Sequence, residues 1–126
     1  MKQIHYTDTY DEISSGMVTL NYKEEDALTP EFKKRWVEAL RSGEYSQGDS
    51  YLMSPIANGE DLYCCLGVAC DIRGIELSYN EQFPQEDYDV PAILKEKHDI
   101  AMFLAEKNDD NDWSFNRIAD WIEEYL

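Results

Sequence analysis

The 126-residue chain (14.7 kDa) carries 27 acidic against 11 basic side chains, a formal charge of −16. Its length suits one hydrophobic core and not two, and an apolar fraction of 43% supplies enough buried surface to exclude wholesale disorder. The acid excess argues against direct nucleic-acid binding, which needs lysine and arginine to displace counterions from phosphates, and leaves basic proteins, divalent cations or the DNA-binding grooves of other proteins as the partners open to it.

Residues 1–28 hold two short alternating runs, 3–6 and 17–22, separated by the Ser14-Ser15-Gly16 punctuation, and read as an N-terminal β extension. In the second run Val18, Leu20 and Tyr22 share one face. Residues 29–126 read as the α+β core. Thr29-Pro30-Glu31 is a helix start, with a hydroxyl cap, a proline at the first helical position and an acid at the positive dipole end. Phe32, Trp36, Val37 and Leu40 form the inner stripe of that helix, and Gly43 stops it.

Residues 50–53 and 61–63 read as short strands joined by a loop ending in Asn58-Gly59, the strongest short-range turn signal of the chain. Residues 64–72 are apolar almost all round and predict a short buried helix closed by Gly74, in which Gly67 marks a close approach of another backbone. Residues 75–90 read as an ordered irregular loop, and Pro91 opens a helical stretch to Lys107 with a break near His98-Asp99. A last helix starts at Ser114, with Phe115, Ile118, Ala119 and Ile122 inward. Its Trp121 and Tyr125 extend the apolar arc beyond what a lone helix buries. The sum is a single small α+β domain of about four helices on a small, mainly antiparallel sheet.

No chemistry-bearing motif stands out. The cysteines Cys64, Cys65 and Cys70 are an odd number, crowded together and lacking the spacing of zinc pairs, so they read as reduced, buried thiols; metal ligation and a reactive thiol are the weaker readings. The polar run 108–112 resembles the start of a calcium loop but lacks its glycine at the sixth position and its glutamate at the twelfth, so no metal is expected. Lys33-Lys34-Arg35 reads as a solvated face. There is no glycine-rich phosphate loop and no nucleophile elbow, so no catalytic residue and no cofactor are assigned. No apolar run approaches the ~20 residues of a membrane span, and the first residues lack the apolar centre of a secretory signal, which makes a cytoplasmic location the expectation.

Three blocks recur in a recognisable order: 36–43 with Tyr45, Gln47 and Gly48; 63–68 with Cys70 and Asp71; and Leu104, Asn108-Asp109, Ser114-Phe115, Ile118-Ala119-Asp120 and Ile122-Glu123. Over residues 32–126 the chain thereby resembles a widespread group of small phage, prophage and environmental viral proteins. The group has no assigned activity, so the resemblance implies a viral accessory role and transfers no catalytic residue. Residues 1–28 and the strongly helical block 99–106 depart from its pattern.

Two functional expectations follow. The first is a small accessory protein of the host cytoplasm that binds and modulates or inhibits a basic host protein, with anti-defence action or nucleic-acid mimicry as versions of it. Its patch is expected at Asp109, Asp110, Asp112, Asp120, Glu123 and Glu124, in the half of the chain from Cys64 onward that holds a charge of −10 against −6 before it. The alternative is a small-molecule or nucleotide-binding protein or enzyme whose pocket uses Arg41, Gln47, Tyr63 and Asp71; of these Arg41, Gln47 and Asp71, polar residues beside core elements, otherwise serve to satisfy buried backbone groups.

Overall fold

The computed structural model describes the chain except for residues 10–14 and 57–58. It shows a single α+β domain whose elements run β1 (Lys2–Thr9), β2 (Ser15–Tyr22), a 3-10 turn (Glu24–Asp26), α1 (Pro30–Arg41), β3 (Ser46–Gln47), β4 (Met53–Pro55), β5 (Asp61–Tyr63), α2 (Cys65–Ile72), a second 3-10 turn (Ala92–Leu94), α3 (Asp99–Asp109) and α4 (Phe115–Tyr125). The strands β1 and β2 form an antiparallel pair. The other three make a small sheet in the order β3-β5-β4, antiparallel between β4 and β5 and parallel between β3 and β5. Of the expected turns, Ser14 and Asn58 lie outside the described residues, while Ser15 and Gly16 belong to β2 itself.

The helix-start signals act where the sequence places them, whereas the strand expected over residues 50–53 forms as β4 only from Met53 to Pro55. The Thr29 hydroxyl accepts from the Phe32 amide at 3.2 Å, and α1 buries Phe32, Trp36, Val37 and Leu40. The helix stretch after Pro91 divides as its pattern requires: a 3-10 turn, then α3 capped by the His98 ring, which accepts from the Ile100 amide at 3.2 Å. The Ser114 hydroxyl caps α4 by accepting from the Arg117 amide at 3.1 Å. The irregular loop 75–90 is gathered by Glu81: its carboxylate accepts from the Ser78 amide, the Gln85 amide group and the Tyr88 hydroxyl, and its carbonyl accepts from the Leu52 amide at 2.7 Å.

At the centre lies α2, buried from Cys65 to Cys70. The Cys64 sulfur caps it, accepting from the Gly67 amide at 3.4 Å, and the Trp36 indole ties α1 to its first turn by donating to the Cys65 carbonyl at 3.0 Å. Across Gly67 runs the backbone of Leu52. A Cβ placed on Gly67 would lie 1.8 Å from the Leu52 carbonyl oxygen, closer than any packing allows.

The β1–β2 hairpin docks onto α3 and α4. Ile4 and Leu20 enter the common core, and the Tyr6 ring meets Phe103, Trp113, Trp121 and Tyr125 edge-on at centroid distances of 5.5 to 6.2 Å. This aromatic seam covers the surplus apolar arc of α4. Beside it Lys107, 2% exposed, donates to buried Asp8 and to Asn111, with its ammonium 5.1 Å from the Phe103 ring centre. Breaking a buried ion pair on one side strands the other charge, at a cost of about 3–5 kcal/mol, whereas replacing both partners with apolar groups is often close to neutral.

Two outcomes are expected in urea unfolding. Lys107→Met should cost about 3–5 kcal/mol and Lys107→Met with Asp8→Leu much less; equal losses would show that the pair does not couple the hairpin to α3. Gly67→Ala should lose at least ~1–3 kcal/mol, because the methyl meets a backbone carbonyl that cannot rotate away.

Candidate functional site

Arg41, in the last turn of α1, faces α4, where Asp120 and Glu123 stand three residues apart on one side of the helix. Its guanidinium donates to Asp120 at 2.6 Å and to both Glu123 oxygens at 3.0 and 3.4 Å. The hydrogen bond from Arg41 lowers the Glu123 pKa, and the reciprocal bonds, Glu123 first, raise that of Arg41. Arg41 thus clamps the two helices and is not held ready for an external anion.

Gln47 serves a different joint. Its amide nitrogen donates to the Asn108 side chain at 2.9 Å and the Trp113 carbonyl at 2.8 Å, and its oxygen accepts from the Phe115 amide at 3.0 Å. Asn108, buried in the last turn of α3, completes the network. Its oxygen also accepts from the Cys65 amide at 3.3 Å, and its nitrogen donates to the Gly48 carbonyl at 2.8 Å and to Asp109 at 2.9 Å. Asn108 is therefore a tertiary fastener, a role that the polar run 108–112 does not disclose in the sequence.

Tyr63 and Asp71 are brought together through a residue that sequence reasoning did not single out as a site member, Tyr45. Its hydroxyl donates to Asp71 at 2.5 Å and its ring stands edge-on to Tyr63 at 5.1 Å. Burial first, then the Asp71 bond, drives the Tyr45 pKa upward; burial and the nearby Asp71 charge do the same to Tyr63. A tyrosine that holds its proton this firmly is a donor to Asp71 and a poor base.

The four expected pocket residues thus occupy three separate joints. Arg41 lines a groove of about 370 Å³ with Lys33, Lys34 and Val37, and Gln47 lines one of about 240 Å³ with Asp49, Asn108 and Asp112. Tyr63 and Asp71 line neither. Among the described residues no three His, Cys, Asp or Glu side chains are placed to hold a metal ion.

Of the six acids of the expected patch, Asp120 and Glu123 are engaged by Arg41, and Asp109 accepts from Asn108. Asp110, Asp112 and Glu124 are exposed and carry no side-chain hydrogen bond or ion pair among the described residues. Asp112 holds a φ of +53°, a left-handed conformation that Asp and Asn tolerate better than other side chains.

The family described as Domain of unknown function (DUF8296) matches residues 28–97, and the chain belongs to it. No curated protein and no solved structure matches the chain. The matched span runs from just before α1 through the second 3-10 turn. The hairpin and the helices α3 and α4, which seal one another through Tyr6 and the Asp8–Lys107 pair, lie on either side of it.

The three thiols are free and buried. Burial pushes Cys64 and Cys70 up to about 12 and Cys65 well above the ordinary thiol value of 9.0. Alkylating reagents at neutral pH should therefore label the native protein slowly and the urea-unfolded protein fast; rapid native labelling of one thiol would mark a reactive cysteine. The fold favours the protonated thiols, so their contribution is fully present below the ordinary thiol value and is lost as pH rises from there toward about 12. Urea midpoints should fall across that alkaline window.

Proposed function

We propose that the chain is a non-catalytic binding protein of the viral accessory type, which docks a carboxylate-bearing surface onto a basic protein of the host cell and modulates or blocks it. The observation that carries this reading is the charge of −16 together with where the bases go. Arg41, Arg73 and Lys107 are engaged in ion pairs within the fold, and Arg35 and Lys95 donate to the Ile72 and Glu86 carbonyls. Arg41 and Arg73 offset the exposed Asp120, Glu123 and Asp89, and Lys107 offsets a buried acid, so the surface charge rests on acids outside these pairs, Asp110, Asp112 and Glu124 among them. Such a surface speeds association with a cationic partner and sets its salt dependence. Nucleic-acid mimicry and anti-defence action are specific forms of this reading. The pocket reading has less support, since Arg41, Gln47 and Asp71 each already bond to a partner within the chain.

Affinity capture from host lysate at low and at high salt tests the reading. A basic protein should be retained at low salt and released as salt rises. The variant Asp110→Asn, Asp112→Asn and Glu124→Gln spares the Arg41 clamp and should change folding stability by no more than about 0.5 kcal/mol per site. It should bind that partner through slower association with a flatter salt dependence. No retained partner at low salt would overturn the proposal; equal binding by variant and parent at every ionic strength would remove these three acids from the interface.

A further inference from the structure

The outer side of β2 is an unpaired strand edge beside a helix. Among the described residues β2 pairs only with β1, so alternate residues along its far side direct amide and carbonyl groups away from the sheet. Between β2 and α3 lies a groove of about 390 Å³ lined by three consecutive β2 residues, Val18, Thr19 and Leu20, by one face of α3, Asp99, Met102, Phe103 and Glu106, and by the Asp8–Lys107 pair. Phe103 and Leu20 are buried beneath it, while Met102 stands 54% exposed, one of the few large apolar side chains so displayed.

The exposed charges at this groove have one sign. Asp99 and Glu106, seven residues apart on the same helix face, carry no side-chain hydrogen bond or ion pair among the described residues. The cation at the groove, Lys107, is buried on Asp8 and is thereby neutralised. A strand edge, an apolar floor and two uncompensated carboxylates together select an occupant: an extended segment that alternates basic and apolar residues. Its backbone would pair with β2, its apolar side chains would cover Met102 and Phe103, and its basic side chains would reach Asp99 and Glu106.

We propose that the β2–α3 groove binds an extended basic segment of a partner protein by strand addition. This rests on the reading that the chain binds basic partners, and places a recognition site on a surface other than Asp110, Asp112 and Glu124. The probe is a panel of short synthetic peptides alternating lysine or arginine with valine or leucine, titrated into the isotope-labelled full chain.

Binding should shift the NMR signals of residues 16–22 and 99–106 and slow hydrogen exchange at alternate β2 amides. Backbone N-methylation of the peptide should abolish it. Asp99→Asn with Glu106→Gln, both exposed, should weaken it about fivefold, the scale of two exposed ion pairs. Met102→Lys, which places a like charge on the floor, should weaken it further. Peptides that bind but shift residues 110–124 instead, or that tolerate N-methylation, would overturn the groove and leave the broader binding proposal standing. No binding by any peptide while lysate capture still succeeds would likewise remove the groove alone; failure of both would remove both.

Discussion

The last turn of α3 buries two consecutive polar side chains, and the tertiary structure hangs on both being satisfied. Lys107 turns toward the hairpin, where Asp8 and Asn111 accept its hydrogen bonds and the Phe103 and Trp113 rings lie within 5.6 Å of the ammonium. Asn108 turns toward the small sheet and uses both ends of its amide on Gln47, Cys65, Gly48 and Asp109. A buried polar group left without partners costs about 1–3 kcal/mol, and a charge costs more. Each side chain therefore fixes the position of the layer that satisfies it: the hairpin on one side, and β3, the start of α2 and the start of α4 on the other.

This arrangement explains which parts of the fold were legible in the sequence. Elements set by local chemistry could be read directly: the Thr29-Pro30 start, the α1 stripe, the break before Asp99, and Gly67 as a point of close approach. The surplus apolar arc of α4 was also visible, but its cover was not. Tyr6 lies more than a hundred residues away in sequence, and an alternating run of four residues does not say which helix it will meet. Lys107 was the least legible of all. A lysine near a helix C-terminus ordinarily reads as a solvated group facing the dipole, and only the fold brings Asp8 beside it.

The candidate site divides in the same way. Arg41, Gln47 and Asp71 could be picked out as polar residues flanking core elements, with two roles open to them. Gln47 takes the role of satisfying backbone groups, at Trp113 and Phe115, while Arg41 and Asp71 bond to side chains of other elements. The spacing of these residues could not reveal that they serve three different joints, because their partners come from separate parts of the chain: Glu123 from α4, Asn108 from α3 and Tyr45 from the connection between α1 and β3.

The hairpin also carries a cost that bears on function. Among the described residues two buried polar atoms lack a hydrogen-bond partner within the chain, the Asn21 carboxamide oxygen in β2 and the Trp121 indole nitrogen in the helix whose aromatic arc the hairpin covers. The Trp121 nitrogen lies beside the seam that the Tyr6 cluster and the Asp8–Lys107 pair strengthen, whereas Asn21 alternates with Leu20 and Tyr22 and belongs to the other face of β2. The hairpin is held by a few strong contacts near its centre, while the far side of β2 has no strand paired with it among the described residues. A free strand edge ordinarily invites aggregation, and proteins blunt it with nearby charge. Here the nearby charges, Asp99 and Glu106, are both acidic. They repel a second copy of this acidic chain while leaving the edge open to a cationic strand, so one pair of carboxylates both guards the edge and selects what joins it.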